Sequence, residues 1–315
     1  MLNFLDVVEA YKRISAYCCK TPLIQNSKVN EILGLSVFFK CEGFQRIGAF
    51  KARGALNFIL QQKPGKDKMI VAYSSGNHAQ AVAWAASLFN YKVKVYMPSN
   101  ASQIKINNTH QLGAEVILCA TRSEAEDLSA QEAAKGAILI PPYDDDSIIC
   151  GQGTAVYEAR IIDKCEPEII CVPLGGGGLF AGSYLAKAPS CEIVAGEPLL
   201  ANDAVRSLNN GKIFRFKNSP LTIADGARTL SLSERTFAFL KKADDVYEFS
   251  EDEIIAATQF LMYHLKILVE PTSALAFLAL RKRLQVKSYR KALVVLSGAN
   301  IDRETMTKVW ENNYL

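Results

Sequence analysis

The chain has 315 residues, 49% of them apolar and 22% charged, with 36 basic against 32 acidic side chains and a formal charge of +4. That is the make-up of a globular protein with core enough for about two domains, and no Lys/Arg block is dense enough for a nucleic-acid partner. No segment approaches the ~18 consecutive apolar residues of a membrane span, and the eight cysteines are scattered without a C-x-x-C pair, which argues against zinc or a disulfide scaffold and points to a reducing, cytoplasmic setting.

In chain order, "MLNFLDVVEAYKRI" carries Asp6 and Glu9 in an amphipathic pattern unlike a signal peptide. "SVFFKCE" predicts a strand that leads through a glycine-bearing loop to the helix "ARGALNFILQQ". The alternation repeats as "MIVAYS" then "HAQAVAWAASLF", "VKVYMP" then "SQIKINNTHQLG", and "AEVILC" then "EAEDLSAQEAAK". After "GAILIPP" and the acidic turn "PPYDDDS" it resumes with "EIICVP", "LFAGSYLAKA" and "CEIVAGEP". Near the end come "EDEIIAATQFLMYHL", "PTSALAFLALRK", "KALVVLS" and a last helix; "RKRL" reads as the solvated end of one of these helices. Strands apolar on both faces, alternating with helices, predict an α/β fold of mostly parallel twisted sheets covered on both sides by helices.

Four stretches carry chemistry. "PLGGGGLFAG" follows the apolar "EIICV" and precedes a helix. A glycine-rich turn there lets backbone amides and a helix N-terminus hold a phosphate. The pattern Gly176-x-Gly178-x-x-Ala181, with Glu197 ending the next strand, also loosely fits a dinucleotide site. In "GAFKARGAL", Lys51 lies between Gly48 and Gly54 beside Phe50. Glycines allow close backbone approach, and an aromatic wall lowers an amine's pKa, so this lysine could form a Schiff base. "SSGNH", Ser74, Ser75, Gly76, Asn77 and His78, ends a strand and opens a helix, a place suited to a carboxylate or phosphate. "VVLSGAN" presents the Ser297 hydroxyl at a sheet's carboxyl edge, where α/β ligands gather.

Taken together, "AFKARGA", "SSGNH", "CGQGT", "PLGGGG", "GEP", "IADG", "EPTSA" and "LSGAN" occur in the order found in the pyridoxal-phosphate-dependent serine/threonine dehydratases and serine racemases, of the tryptophan-synthase-β-like fold group (fold type II). The chain closely resembles that family from about Thr21 to the end of "LSGANID". The resemblance implies two domains, a large one from 1–66 and 145–315 and a smaller one, 67–144, inserted into it. It turns the glycine run into a cradle for the phosphate of pyridoxal 5′-phosphate, with Gly175, Gly176, Gly177 and Gly178 as its donors, and sets the dinucleotide reading aside.

By the same resemblance Lys51 would bind the cofactor covalently, Phe50 would pack beside the pyridine ring and Asn77 would meet its phenolic oxygen. Ser297 would face the ring nitrogen, Ser74 to His78 would hold the substrate carboxylate, and Ser75 would stand on the face opposite Lys51 as a second acid/base. Glu197, the Ala201 carbonyl and Asp203 would bind a divalent cation, and hard oxygens suit Mg²⁺ or Ca²⁺. The implied activity is deamination of L-threonine or L-serine to a 2-oxo acid and ammonia, with serine racemisation or deamination of 3-hydroxyaspartate as alternatives, by a homodimer acting on a small amino acid. Two departures stand out. Pro141 replaces the histidine of the family's His-Pro-Phe-Asp-Asp, and alignment places Ala125 where serine racemases carry an arginine.

Overall fold

The computed structural model describes residues 2–315. Ten strands form two sheets. In chain order the strands are β1 (Leu23–Ile24), β2 (Ser36–Cys41), β3 (Ile70–Tyr73), β4 (Val93–Pro98), β5 (Glu115–Cys119), β6 (Ile138–Leu139), β7 (Ile169–Pro173), β8 (Glu192–Pro198), β9 (Asp245–Phe249) and β10 (Lys291–Leu296). The larger sheet has the order β1-β2-β10-β7-β8-β9 and the smaller β5-β4-β3-β6. Every pairing is parallel except β1 with β2.

The large sheet is buried on both faces, which explains its continuous apolar strands. Cys171, Val194, Ala292 and Val294 point into one core with Phe39 and Phe277. Their chain neighbours Ile170, Val172, Leu293 and Val295 point into the other with Phe180 and Leu185. The small sheet takes its strands from residues 70–139 and shares a third core with the helix Lys51–Gln62, through Ala52, Leu56 and Ile59. In the chain that helix stands between β2 of the large sheet and β3 of the small one.

Where helices meet closely, glycine is required. A Cβ on Gly182 would come within 2.3 Å of the Ile149 carbonyl and 2.4 Å of the Gly153 nitrogen. The sequence reading missed two strands, β1 and β9. Both lie at sheet edges, one only two residues long and the other largely half-exposed, so neither carries a buried apolar run.

Candidate active site

In both sheets the carboxyl ends of the parallel strands face one cavity, where open α/β sheets gather ligands. It is lined by Phe50, Lys51, Ser74 to His78, Gly175 to Gly178 and Ser297, joined by Lys105, Arg122, Tyr143, Asp225 and Glu270. The four stretches singled out in the sequence thus meet in space.

Lys51 is the first residue of its helix. The loop before it is tied to the end of β10, because the Phe50 amide donates to the Ser297 carbonyl at 3.0 Å and Ala49 bridges Gly298. Lys51 Nζ donates to the Pro142 carbonyl at 2.7 Å and sits 5.1 Å from the Phe50 ring centroid. Burial, helped by the charge of Arg122, pulls the amine down to about 7. Near neutral pH a large share of it is then the free base, the nucleophilic form.

Across the cavity, Ser74 Oγ accepts from the Gly76 amide at 3.1 Å and shapes the turn into the helix Asn77–Ser87. Asn77 Nδ2 donates to both oxygens of Glu270, at 3.0 and 3.2 Å, while its Oδ1 accepts from Asn300 at 2.8 Å. His78 is enclosed, with Nε2 2.9 Å from the Ile140 carbonyl, and burial, reinforced by Lys51, pushes it down to about 3. Its Nδ1 has no hydrogen-bond partner. Ser297 Oγ lies 3.1 Å from Ser273 Oγ and donates to Glu270 at 3.3 Å.

Glu270 is a residue the sequence reading did not single out. It is fully buried, and burial, then the charge of Asp225, raises its carboxyl to about 7 despite Lys105 and its hydrogen bonds to Asn77 and Ser297. It was legible only as part of "EPTSA", the start of the helix Pro271–Arg283.

Arg122 corrects an expectation. The helix Arg122–Ala134 does supply a cavity arginine, from its first residue, whereas Ala125 packs away among Tyr96 and Cys119. Lys105 pairs with Asp225 in the cavity lining; burial pulls its amine down, but Asp225 outweighs that and holds it raised.

A pyridoxal-phosphate-dependent enzyme family model matches residues 14–298, most of the chain. The chain belongs to that family. Among its relatives, this pyridoxal-phosphate-dependent enzyme is 40% identical over 304 residues to the L-threo-3-hydroxyaspartate ammonia-lyase of Saccharomyces cerevisiae, covering 94% of this chain and 93% of the relative. It is 39% identical to the serine racemase of Schizosaccharomyces pombe over 307 residues, 95% and 94% of the two chains. Of solved structures, the T.th. threonine deaminase superposes with a TM-score of 0.88 at 37% identity, over 96% of this chain and 99% of that one. The parallel-sheet α/β architecture is that of these fold type II enzymes.

The glycine run fits the cofactor's phosphate. Among the described residues, the amides of Gly175, Gly176 and Gly177 have no acceptor within the protein, and Gly177 sits at φ +86°. A Cβ on Gly176 would lie 2.1 Å from the Tyr143 ring, so only glycine leaves the cradle open beside that tyrosine.

The residues expected to bind a cation lie elsewhere, Glu197 near the end of β8 and Asp203 at the start of the next helix. Glu197 is buried and accepts from the amides of Ala204 at 3.2 Å and Val205 at 2.7 Å. Asp203 is buried too, and its Oδ2 has no hydrogen-bond partner. Burial raises Asp203 to about 7, and burial with Asp203 beside it raises Glu197 well above the carboxylate range. Two enclosed carboxyls without a basic partner fit a cation as their missing counter-charge. No group of three or more His, Cys, Asp or Glu that could hold a metal ion occurs among the described residues.

Proposed function

We propose that this enzyme deaminates β-hydroxy α-amino acids to a 2-oxo acid and ammonia, with Lys51 both anchoring the cofactor and acting as the base at the substrate's Cα. The observation that carries the reading is the Lys51 amine, brought to about 7 in the cavity it shares with the glycine cradle. When bound there, pyridoxal phosphate supplies an electron sink beside Cα.

The other roles belong to this chain's own groups. Amides of Gly175 to Gly178 hold the phosphate, Phe50 packs beside the ring and Asn77 reaches its phenolic oxygen. Ser297 offers a neutral hydroxyl to the ring nitrogen, which makes a weaker sink than a carboxylate would and so suits elimination. Ser74, Ser75, Gly76 and Asn77, at a helix N-terminus and backed by His78, orient the substrate carboxylate. Ser75 faces the side opposite Lys51, where a hydroxyl permits some racemisation. In this division of labour residues 67–144 carry the substrate loop, while 1–66 and 145–315 carry the cofactor's partners. Glu197, the Ala201 carbonyl and Asp203 hold Mg²⁺ or Ca²⁺ as a structural support away from the reacting atoms.

L-Serine and L-threonine meet these requirements, but Arg122 favours 3-hydroxyaspartate. Its buried Nε has no hydrogen-bond partner, and a second substrate carboxylate would satisfy it. A hydrogen or methyl at that position would leave this N–H without an acceptor, since Glu126 Oε1 stands 3.6 Å away. The name of the Saccharomyces cerevisiae relative agrees with this preference, whereas the Schizosaccharomyces pombe relative is named a serine racemase. Borohydride reduction of the holoenzyme, followed by peptide mapping, should leave a pyridoxyl group on Lys51; the label on another lysine would overturn the assignment.

A further inference from the structure

We infer that Glu126 and Arg215, neither of which lines the cavity, form a positioning relay that keeps the Arg122 guanidinium available to an anionic group at the distal end of the substrate. The inference rests on the 3-hydroxyaspartate reading above and extends it to residues that touch no substrate.

Arg122 is fixed at one corner, where Nη1 donates to the Arg228 carbonyl at 3.0 Å. Its Nε lies 3.6 Å from Glu126 Oε1, one turn along the same helix, too far for a hydrogen bond. Glu126 is engaged elsewhere, because its Oε2 accepts from Arg215 Nη2 at 2.9 Å. Arg215 Nη1 in turn donates to Ser231 Oγ at 3.2 Å, and the Ser231 carbonyl accepts from Tyr143, the tyrosine packed on Gly176, at 2.8 Å. The chain of contacts runs from the small-sheet helix into the large-sheet segment beside the glycine cradle.

The charge balance explains why the relay matters. A glutamate four residues after an arginine on a helix would normally pair with it. Had Glu126 only Arg122 to meet, it would neutralise the guanidinium and draw it from the cavity. Two arginines sharing one carboxylate leave a net positive charge, and the Nε without a hydrogen-bond acceptor belongs to the inner one. The Arg122 side chain is 12% exposed and that of Arg215 53%, so the outer arginine can be changed without opening the core.

The experiment compares L-threo-3-hydroxyaspartate with L-serine on holoenzyme, alongside equilibrium binding of succinate and propionate, which differ by one carboxylate. Arg215→Gln should raise KM for hydroxyaspartate about fivefold, the scale of a half-exposed ion pair, with kcat changed less than about twofold. It should weaken succinate binding by a similar factor and leave L-serine and propionate unmoved, and Arg215→Lys should restore most of the loss. If wild type prefers hydroxyaspartate but Arg215→Gln leaves its KM unchanged, or lowers both substrates' turnover alike, the relay is overturned and the substrate reading stands. If wild type binds succinate no more tightly than propionate, the Arg122 reading fails and the relay with it.

Discussion

A lysine in water titrates near roughly 10.4, and the cavity moves Lys51 to about 7 because its amine is enclosed and faces Arg122. The depressed value means that the folded protein releases this proton about three pH units earlier than an unfolded chain would. Uptake of pyridoxal phosphate by the apoprotein needs the neutral amine, so its rate should climb through about pH 7 and level off by roughly pH 8.5. Stopped-flow absorbance across pH 5.5–10 checks this, and a rate still rising at pH 10 would contradict it. Lys51 was legible in the sequence because its signals are local: flanking glycines, an aromatic neighbour and a helix start. Glu270 and Arg122 were not, because what makes them chemical is distant in the chain. Glu270 meets Asn77 and Ser297 only through the fold, and Arg122 reaches the cavity from the first turn of a helix whose alignment pointed three residues later.

At the level of elements, the alternation of strands and helices was readable because parallel strands buried on both faces must be apolar throughout. The edge strands β1 and β9 escaped notice for the converse reason, and so did the knot that secures the Lys51 helix. There Arg53 donates to Glu42 at 2.7 and 2.8 Å and to Glu158 at 2.8 Å, while Lys40 donates to Glu158 at 2.7 Å, all enclosed. Lys40, Glu42 and Arg53 announce nothing until the fold brings up Glu158, 105 residues beyond Arg53. The turn from β8 into the helix Asp203–Asn210 was legible through the family resemblance, and the fold gives its Glu197 and Asp203 a shared buried space without a basic partner. A cation bound there at about a hundred times its Kd would contribute roughly 2.7 kcal/mol. EDTA should therefore lower Tm by several degrees and Mg²⁺ or Ca²⁺ restore it, with Glu197→Gln no longer responding. A Tm indifferent to chelation in the wild type would remove the metal from the account.

On the scale of the whole molecule, the site exists because the small sheet's helices close on the large sheet's loops. Lys105, packed under Gly76, pairs with Asp225, and Arg122 reaches the Arg228 carbonyl, so the 74–78 loop and the glycine run are held across one cavity. Enclosure lowers Lys51, raises Glu270 and leaves Arg122 Nε without a hydrogen-bond partner. An enzyme built this way should abstract the Cα proton on one face and expel the β-hydroxyl before that proton returns. The direct test is proton NMR of the holoenzyme in D₂O with L-threo-3-hydroxyaspartate and, separately, L-serine. The account predicts a 2-oxo acid and ammonia in equal amounts, faster from hydroxyaspartate, with little deuterium at Cα of the remaining substrate. Accumulation of Cα-deuterated amino acid of both configurations, without 2-oxo acid, would contradict it.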